Sequence, residues 1–317
     1  MILAIAGRRS ATMRILADAV LADVAHTYTD DPGTADVVVV LDASAHIDEP
    51  GPHSVVVAYA DDAAVVRALA HAGPRVVTFG LSPSADVRAE AVEATAAGTR
   101  FEVVAAESRA VASVGILGES IVPLALAALA VSGAAGVPTV DAIAGLATVT
   151  SAAEHDMQVS RLSAATVLVD DTADGTPLST ADALKALAQL TVDGTRSIAV
   201  LGELDLDSSS DPLDHREQHD RIGRLVVRLN VSRLIVVGQS ARHIHNAAGL
   251  EGSWDGESVL VESADEAYDL LNDSEFADTA APVSRVVLVK SSPTSGLSAL
   301  ADRISHTTAF EGRKATA

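Results

Sequence analysis

Short β-branched apolar runs alternate with stretches of helical periodicity along the whole chain. Residues 2–6, 36–41, 54–58 and 75–79 are mostly apolar, too short for helices and bounded by polar or turn residues, so they read as buried strands. Between them, residues 11–24 put Met13, Leu16, Ala17 and Val20 on one side of a helix, and 63–71 form a shorter one. Residues 85–114 carry no helical period and read as a β-meander, with helices at 121–134 and 140–146. The second half predicts strands at 157–162, 166–169, 197–201, 234–237, 258–261 and 285–289, and helices at 264–271 and 297–304.

The clearest unit is 197–238. A strand leads into an acidic, serine-rich loop at 202–211, and Pro212 is placed to start a helix. That helix carries Ile222, Leu225, Val226 and Leu229 as one apolar stripe, and the second strand ends at Gly238. Strand, crossover helix and strand imply parallel pairing. The alternation of the whole chain therefore predicts an α/β protein of two parallel-sheet domains, 1–150 and 151–317, with the boundary in 147–156.

Composition narrows the function. The 317 residues suffice for two cores, and a formal charge of −21 argues against nucleic acid or an anionic membrane as partner. There is no cysteine, so neither disulfides nor thiol catalysis are available. Residues 120–137 are uncharged and of membrane-span length, but Pro123, Gly133 and Gly136 with many alanines read as buried helix in a soluble domain. The first residues read as a strand and not as a signal peptide, and the expected location is the cytoplasm. Lys185, Lys290 and Lys314 are the lysines, against nineteen arginines, so none precedes Lys185.

That bears on the turn Gly7-Arg8-Arg9-Ser10-Ala11-Thr12, which sits where many α/β proteins hold phosphate. A working phosphate loop needs glycines, a lysine for the terminal phosphates and a hydroxyl on magnesium. This turn has one glycine and no lysine, with Ser10 and Thr12 as its hydroxyls, and reads as a plain strand–helix turn. Asp170 and Asp171 follow a strand and could bind a metal or cap the next helix; without a third ligand, a cap or solvated turn is the preferred reading. His215 and His219 share a helix face at zinc-ligand spacing, but Glu217 is off the His-Glu-x-x-His position, and no metal site is expected. His243 and His245 are read as surface residues.

Several runs resemble the Mur ligase family, in its D-alanyl-D-alanine-adding branch. Gly202, Glu203 and Leu204 match a strand-end signature, His219 the histidine of its helix, and Val287 to Ser292 the lysine–serine turn after the last strand. Ala45-His46, Ala60-Asp61-Asp62, the run 76–90, and Asp170, Asp171 and Pro177 also match. The resemblance implies a shortened P-loop-like central domain followed by a Rossmann-like domain. It also implies ligand contacts, vestigial if present, at Ser10, Thr12, Asp61, Asp62, Asp170, Asp171, Glu203, His219, Lys290 and Ser291.

The departures are as specific. Asp205, Leu206 and Asp207 replace a Glu-Leu-Gly turn, Tyr59 replaces the adenine-facing asparagine, and Gly118-Glu119-Ser120-Ile121 replaces Gly-Arg-His-Asn. The segments carrying the family's magnesium glutamate and carbamylated lysine are cut to a few residues, and its sugar-binding N-terminal domain is expected to be absent. The resulting expectation is a non-catalytic, peptidoglycan-related paralogue that binds or scaffolds, with no catalytic residue, metal or cofactor. Its expected partner is a second copy or a cell-wall ligase. The alternatives are a residual ATP- and magnesium-dependent amide ligase, and a small-ligand binder using a cleft between the domains.

Overall fold

The computed structural model describes residues 1–45, 50–69, 75–95, 97–106, 108–163, 165–191, 195–206, 211–252, 254–272 and 284–306. His46, His71 and Asp207 lie outside the described residues. The chain divides into two compact units, Met1–Ala153 and Glu154–Ala317.

In the first unit an eight-stranded sheet has the order β2-β1-β3-β4-β5-β6-β7-β8 among the described residues. These strands are β1 (Ile2–Ala6), β2 (Thr27–Thr29), β3 (Val37–Val40), β4 (Val55–Tyr59), β5 (Arg75–Gly80), β6 (Val87–Thr95), β7 (Gly98–Ala105) and β8 (Ser108–Val114). The four valines of β3 are all buried, as a strand covered on both faces requires. Pairing is parallel from β2 to β6 and antiparallel from β6 to β8. The sheet is thus mixed and not parallel throughout. Two residues join β6 to β7, whereas a parallel crossover needs about a dozen.

Helix α1 (Ser10–Val20) buries Met13, Leu16, Ala17 and Val20, the side its periodicity predicts. Helix α2 (Ala63–Leu69) sets Val65 into a cluster with Val38, Val40 and Val56. The uncharged run becomes α3 (Val122–Ala134), which packs on the sheet, on α1 and on α4 (Thr139–Ala147). Its residues Val122 and Leu124–Ser132 are all buried, so an all-round apolar helix here is a core helix. No helix among the described residues is long and apolar enough to cross a membrane.

The second unit has the order β13-β12-β11-β14-β10-β9. Its strands are β9 (Gln158–Arg161), β10 (Thr166–Asp171), β11 (Arg196–Leu201), β12 (Arg233–Val237), β13 (Glu257–Val261) and β14 (Arg285–Lys290). All pair in parallel except the edge strand β9, which returns on β10 after four residues and so must be antiparallel. Helices α5 (Pro177–Leu190), α6 (Pro212–Arg228) and α7 (Arg242–Gly249) pack in succession. The other face takes α8 (Ala264–Asn272) and α9 (Leu297–His306), whose Leu271, Leu300 and Ile304 meet Ile198, Val200 and Val287. Asp211 caps α6 by accepting from the Leu213 N–H at 2.9 Å, and Pro212 takes the first helical position as predicted.

Candidate functional site

Parallel α/β sheets offer ligands the carboxyl ends of their strands, where loop amides converge. In the first unit, acidic side chains of the protein occupy that edge. Gly7 leaves β1 at a φ of 116°, and a Cβ there would fall 2.8 Å from Asp42 Oδ2. Only glycine lets the chain pass so close. The Arg8 N–H donates to Asp42 Oδ2 at 2.7 Å, and the Asp42 carboxylate also accepts from the Ser44 N–H at 2.8 Å and from the Ser44 hydroxyl. A carboxylate therefore takes an amide of the turn where an anion would be sought.

The neighbouring strand ends repeat the arrangement. Asp62 accepts from the Ala43 N–H at 3.0 Å and from the Ala64 N–H at 2.8 Å, the latter capping α2. Asp61 accepts from Leu81 N–H at 2.6 Å and Ser82 N–H at 2.8 Å. Thr12 is fully buried and its hydroxyl accepts from the Ala153 N–H at 3.0 Å. Ser10, half-buried, opens α1. The Arg9 guanidinium donates to the Ser120 carbonyl at 2.8 Å, and Tyr59 stacks on Phe79 with ring centroids 5.4 Å apart. The structure thus brings together Asp61, Asp62 and the turn, but as cross-links between loops.

The second unit gathers the ends of β10, β11 and β14. Lys290 is buried, and its ammonium meets Asp171 Oδ2 at 2.6 Å, Ser179 Oγ at 2.6 Å and the Asp174 carbonyl. Three acceptors thus answer the three donors of a lysine. Asp170 and Asp171 are buried too, which corrects the cap or solvated-turn reading. Asp171 Oδ1 accepts from the Met157 N–H at 3.0 Å, and Asp170 accepts from His155 Nδ1 at 2.6 Å and from Thr172. The cap of α5 is Thr176, which accepts from the Ser179 N–H. Their burial excludes a solvated turn, because a carboxylate taken from water needs a cation or donors at hand.

The loops themselves interlock. Gly175 O accepts from the Asp205 N–H at 2.8 Å, Glu203 O from the Ser292 N–H at 2.8 Å, and Lys290 O from the Gly202 N–H at 3.0 Å. A Cβ on Gly175 would fall 2.3 Å from Ser292 N, so that position admits glycine alone. The Glu203 side chain is exposed, whereas Ser291 is buried and its Oγ accepts from Ser295 Oγ at 2.6 Å.

His219 is buried; its Nδ1 donates to the His215 carbonyl at 2.7 Å and its Nε2 accepts from the Leu204 N–H at 3.4 Å. Burial pushes its pKa below the ordinary value, only partly offset by the His215 carbonyl and the charge of Glu203. Both nitrogens are thus engaged without a metal. His245 is half-buried and hydrogen-bonded to Ser258 Oγ at 2.7 Å, so it is not the surface residue expected.

Residues that sequence reasoning missed are Asp42, His155, Asp174 and Ser179. Asp42 stands two residues beyond the all-valine strand β3, a strand-end carboxylate beside the glycine turn, which is the signal that could have marked it. The others come together only through loop closure.

Relatives of known activity share much of this chain. The UDP-N-acetylmuramoyl-tripeptide–D-alanyl-D-alanine ligase of Mycobacterium tuberculosis is 35% identical over 256 residues, covering 77% of this chain and 49% of that enzyme. The Mycobacterium leprae enzyme of the same name is 38% identical over 201 residues, covering 59% and 37%. The chain belongs to the Mur ligase family. It spans about half the length of the curated relatives it matches. No family model matches the chain.

The Mur ligase fold itself is matched over more of the chain. A crystal structure of MurF from Acinetobacter baumannii superposes with a TM-score of 0.74 at 18% identity, covering 96% of this chain and 76% of that one. MurF from Thermotoga maritima in complex with ADP gives 0.67 at 15% identity, covering 96% and 79%. Within this family frame, Leu204 and His219 are joined by a hydrogen bond, so that part of the signature holds the loop to α6. Lys290 and Ser291 likewise belong to the packed loop cluster.

Proposed function

We propose that this Mur ligase family chain works in peptidoglycan precursor synthesis by binding or scaffolding, and does not itself drive amide formation with ATP. One observation carries the reading: Asp42 accepts the Arg8 N–H at 2.7 Å, placing a negative charge in the anion position of the Gly7 turn. Phosphoryl transfer needs that position for a phosphate, with a lysine and magnesium beside it. Residues 1–184 contain no lysine, Thr12 is buried against Ala153, and Arg9 is turned to Ser120. On this reading the residues present do not fit a nucleoside triphosphate and its magnesium.

The same reading makes Asp61, Asp62, Asp170, Asp171, His219, Lys290 and Ser291 structural residues of a retained scaffold. Its partner would be a cell-wall precursor ligase or a second copy of the chain, with residues 1–153 a shortened central domain and 154–317 the Rossmann-like one. The test is calorimetric titration of the purified chain with ATP and magnesium, with a phosphate-release assay in parallel. Neither micromolar binding nor release is expected. Binding accompanied by phosphate release that Arg8→Ala abolishes would overturn the proposal.

A further inference from the structure

Glu154, His155 and Asp302 each present one ligand atom, and the three atoms lie within 4.8 Å of one another. Glu154 and His155 open the second unit, while Asp302 projects from α9. The His155 Nδ1 is committed to Asp170 Oδ2 at 2.6 Å, which leaves Nε2 as the ring nitrogen that a metal would take. Asp170 stands outside the trio, its side chain only 7% exposed, and is itself held by the Thr172 N–H at 3.2 Å and the Thr172 hydroxyl at 2.9 Å. A buried carboxylate on the far nitrogen is the arrangement that fixes a metal-binding imidazole: it sets the tautomer, orients the ring and raises the basicity of the free nitrogen. The main chain is held as well, because His155 O accepts from the Ala173 N–H at 2.9 Å.

We propose that Glu154, His155 and Asp302 form a binding site for a divalent transition-metal ion of the zinc or manganese kind, with Asp170 as the positioning residue behind the histidine. One imidazole and two carboxylates suit these ions, whereas calcium would need six or more oxygens and copper(I) a sulfur ligand. Three protein ligands leave a position for water. Tetrahedral zinc would bring the ligand atoms to about 3.4 Å from one another. The carboxylates of Glu154 and Asp302 are exposed, while the His155 ring is anchored by Asp170. The site lies within the second unit and is independent of the phosphate turn, so it stands whichever way the ATP experiment falls.

The test is calorimetry of the full chain with zinc chloride in a non-chelating buffer, repeated with cobalt(II) as a spectroscopic reporter. One equivalent is expected, with visible cobalt bands of a nitrogen–oxygen site. His155→Ala should remove that equivalent, and Asp302→Asn, an exposed change that leaves folding intact, should weaken it. Asp170→Asn should lower the affinity about 10–100-fold while keeping the stoichiometry. Circular dichroism of each variant separates lost binding from lost folding. Zinc binding of the same strength and stoichiometry in His155→Ala and Asp302→Asn, or no binding in the unmodified chain, would overturn the site.

Discussion

The Lys290–Asp171 pair provides the sharpest test of how the second unit is held together. The lysine side chain is fully buried and that of Asp171 only 4% exposed, with 2.6 Å between the charges. Replacing Lys290 by Met keeps most of the volume but takes the ammonium away from Asp171 Oδ2 and Ser179 Oγ, while the Asp174 carbonyl keeps the Ser179 hydroxyl at 3.3 Å. Removing one member of a buried pair costs about 3–5 kcal/mol, because the other charge stays desolvated and uncompensated. At about 1.4 kcal/mol per tenfold, the folded-to-unfolded ratio should fall by roughly two to three and a half orders of magnitude. Asp171→Asn should be costly too, as its Oδ2 would lose the charge that faces the ammonium. The double variant should cost clearly less than the sum, since no unpaired charge remains. With two units, global unfolding is an unsafe reporter, so the assay is urea-dependent hydrogen exchange followed by mass spectrometry on peptides of β10, β11 and β14. Single losses under 1 kcal/mol, or strict additivity in the cycle, would refute the argument.

Three further outcomes follow from other contacts. His219 is held below its ordinary pKa of 6.5 by burial, so between the two values the unfolded chain binds more protons than the folded one. Its contribution to stability should therefore be lost as the pH falls from about 6.5 toward the folded value, and His219→Gln should flatten that slope in chemical denaturation of the second unit; an unchanged slope would count against it. Gly175→Ala should destabilise the same unit by about 1–3 kcal/mol through its clash with Ser292, and a thermal melt indistinguishable from the parent would contradict the packing. Thr12→Val removes the acceptor of the Ala153 N–H and should cost about 1 kcal/mol in the first unit, with Thr12→Ser restoring most of it in the same denaturation assay.

The elements were legible because each depends on a local period. Strands such as Ile2–Ala6, the helix stripe of Ile222 and Val226, and the meander after residue 85 were all written in spacing or in turn length. The short edge strand Thr27–Thr29 and the helix Pro177–Leu190 were not located, the first being too short to show a period. The antiparallel edge strand was legible in principle, since four residues cannot carry a parallel crossover. The candidate site was legible only as a set of residue types. Asp170, Asp171 and Lys290 were picked out singly, yet nothing in their spacing announced that they are buried together. Lys290 is 119 residues from Asp171 along the chain, and only parallel pairing of β10 with β14, in register from Thr166 to Asp171, sets them side by side.

By itself, then, the sequence determined the alternation of strands and helices, the want of lysine in residues 1–184, and the family, because these follow from local pattern and composition. Tertiary structure alone decided which polar groups remain available. Asp42 on the Gly7 turn, Asp61 and Asp62 on neighbouring amides, Lys290 on Asp171, and Asp170 behind His155 are all contacts between separate strand ends or loops. A carboxylate becomes a ligand, a cap or a counter-ion according to which donor the fold brings within about 3 Å, and that distance is set by strand register and loop closure.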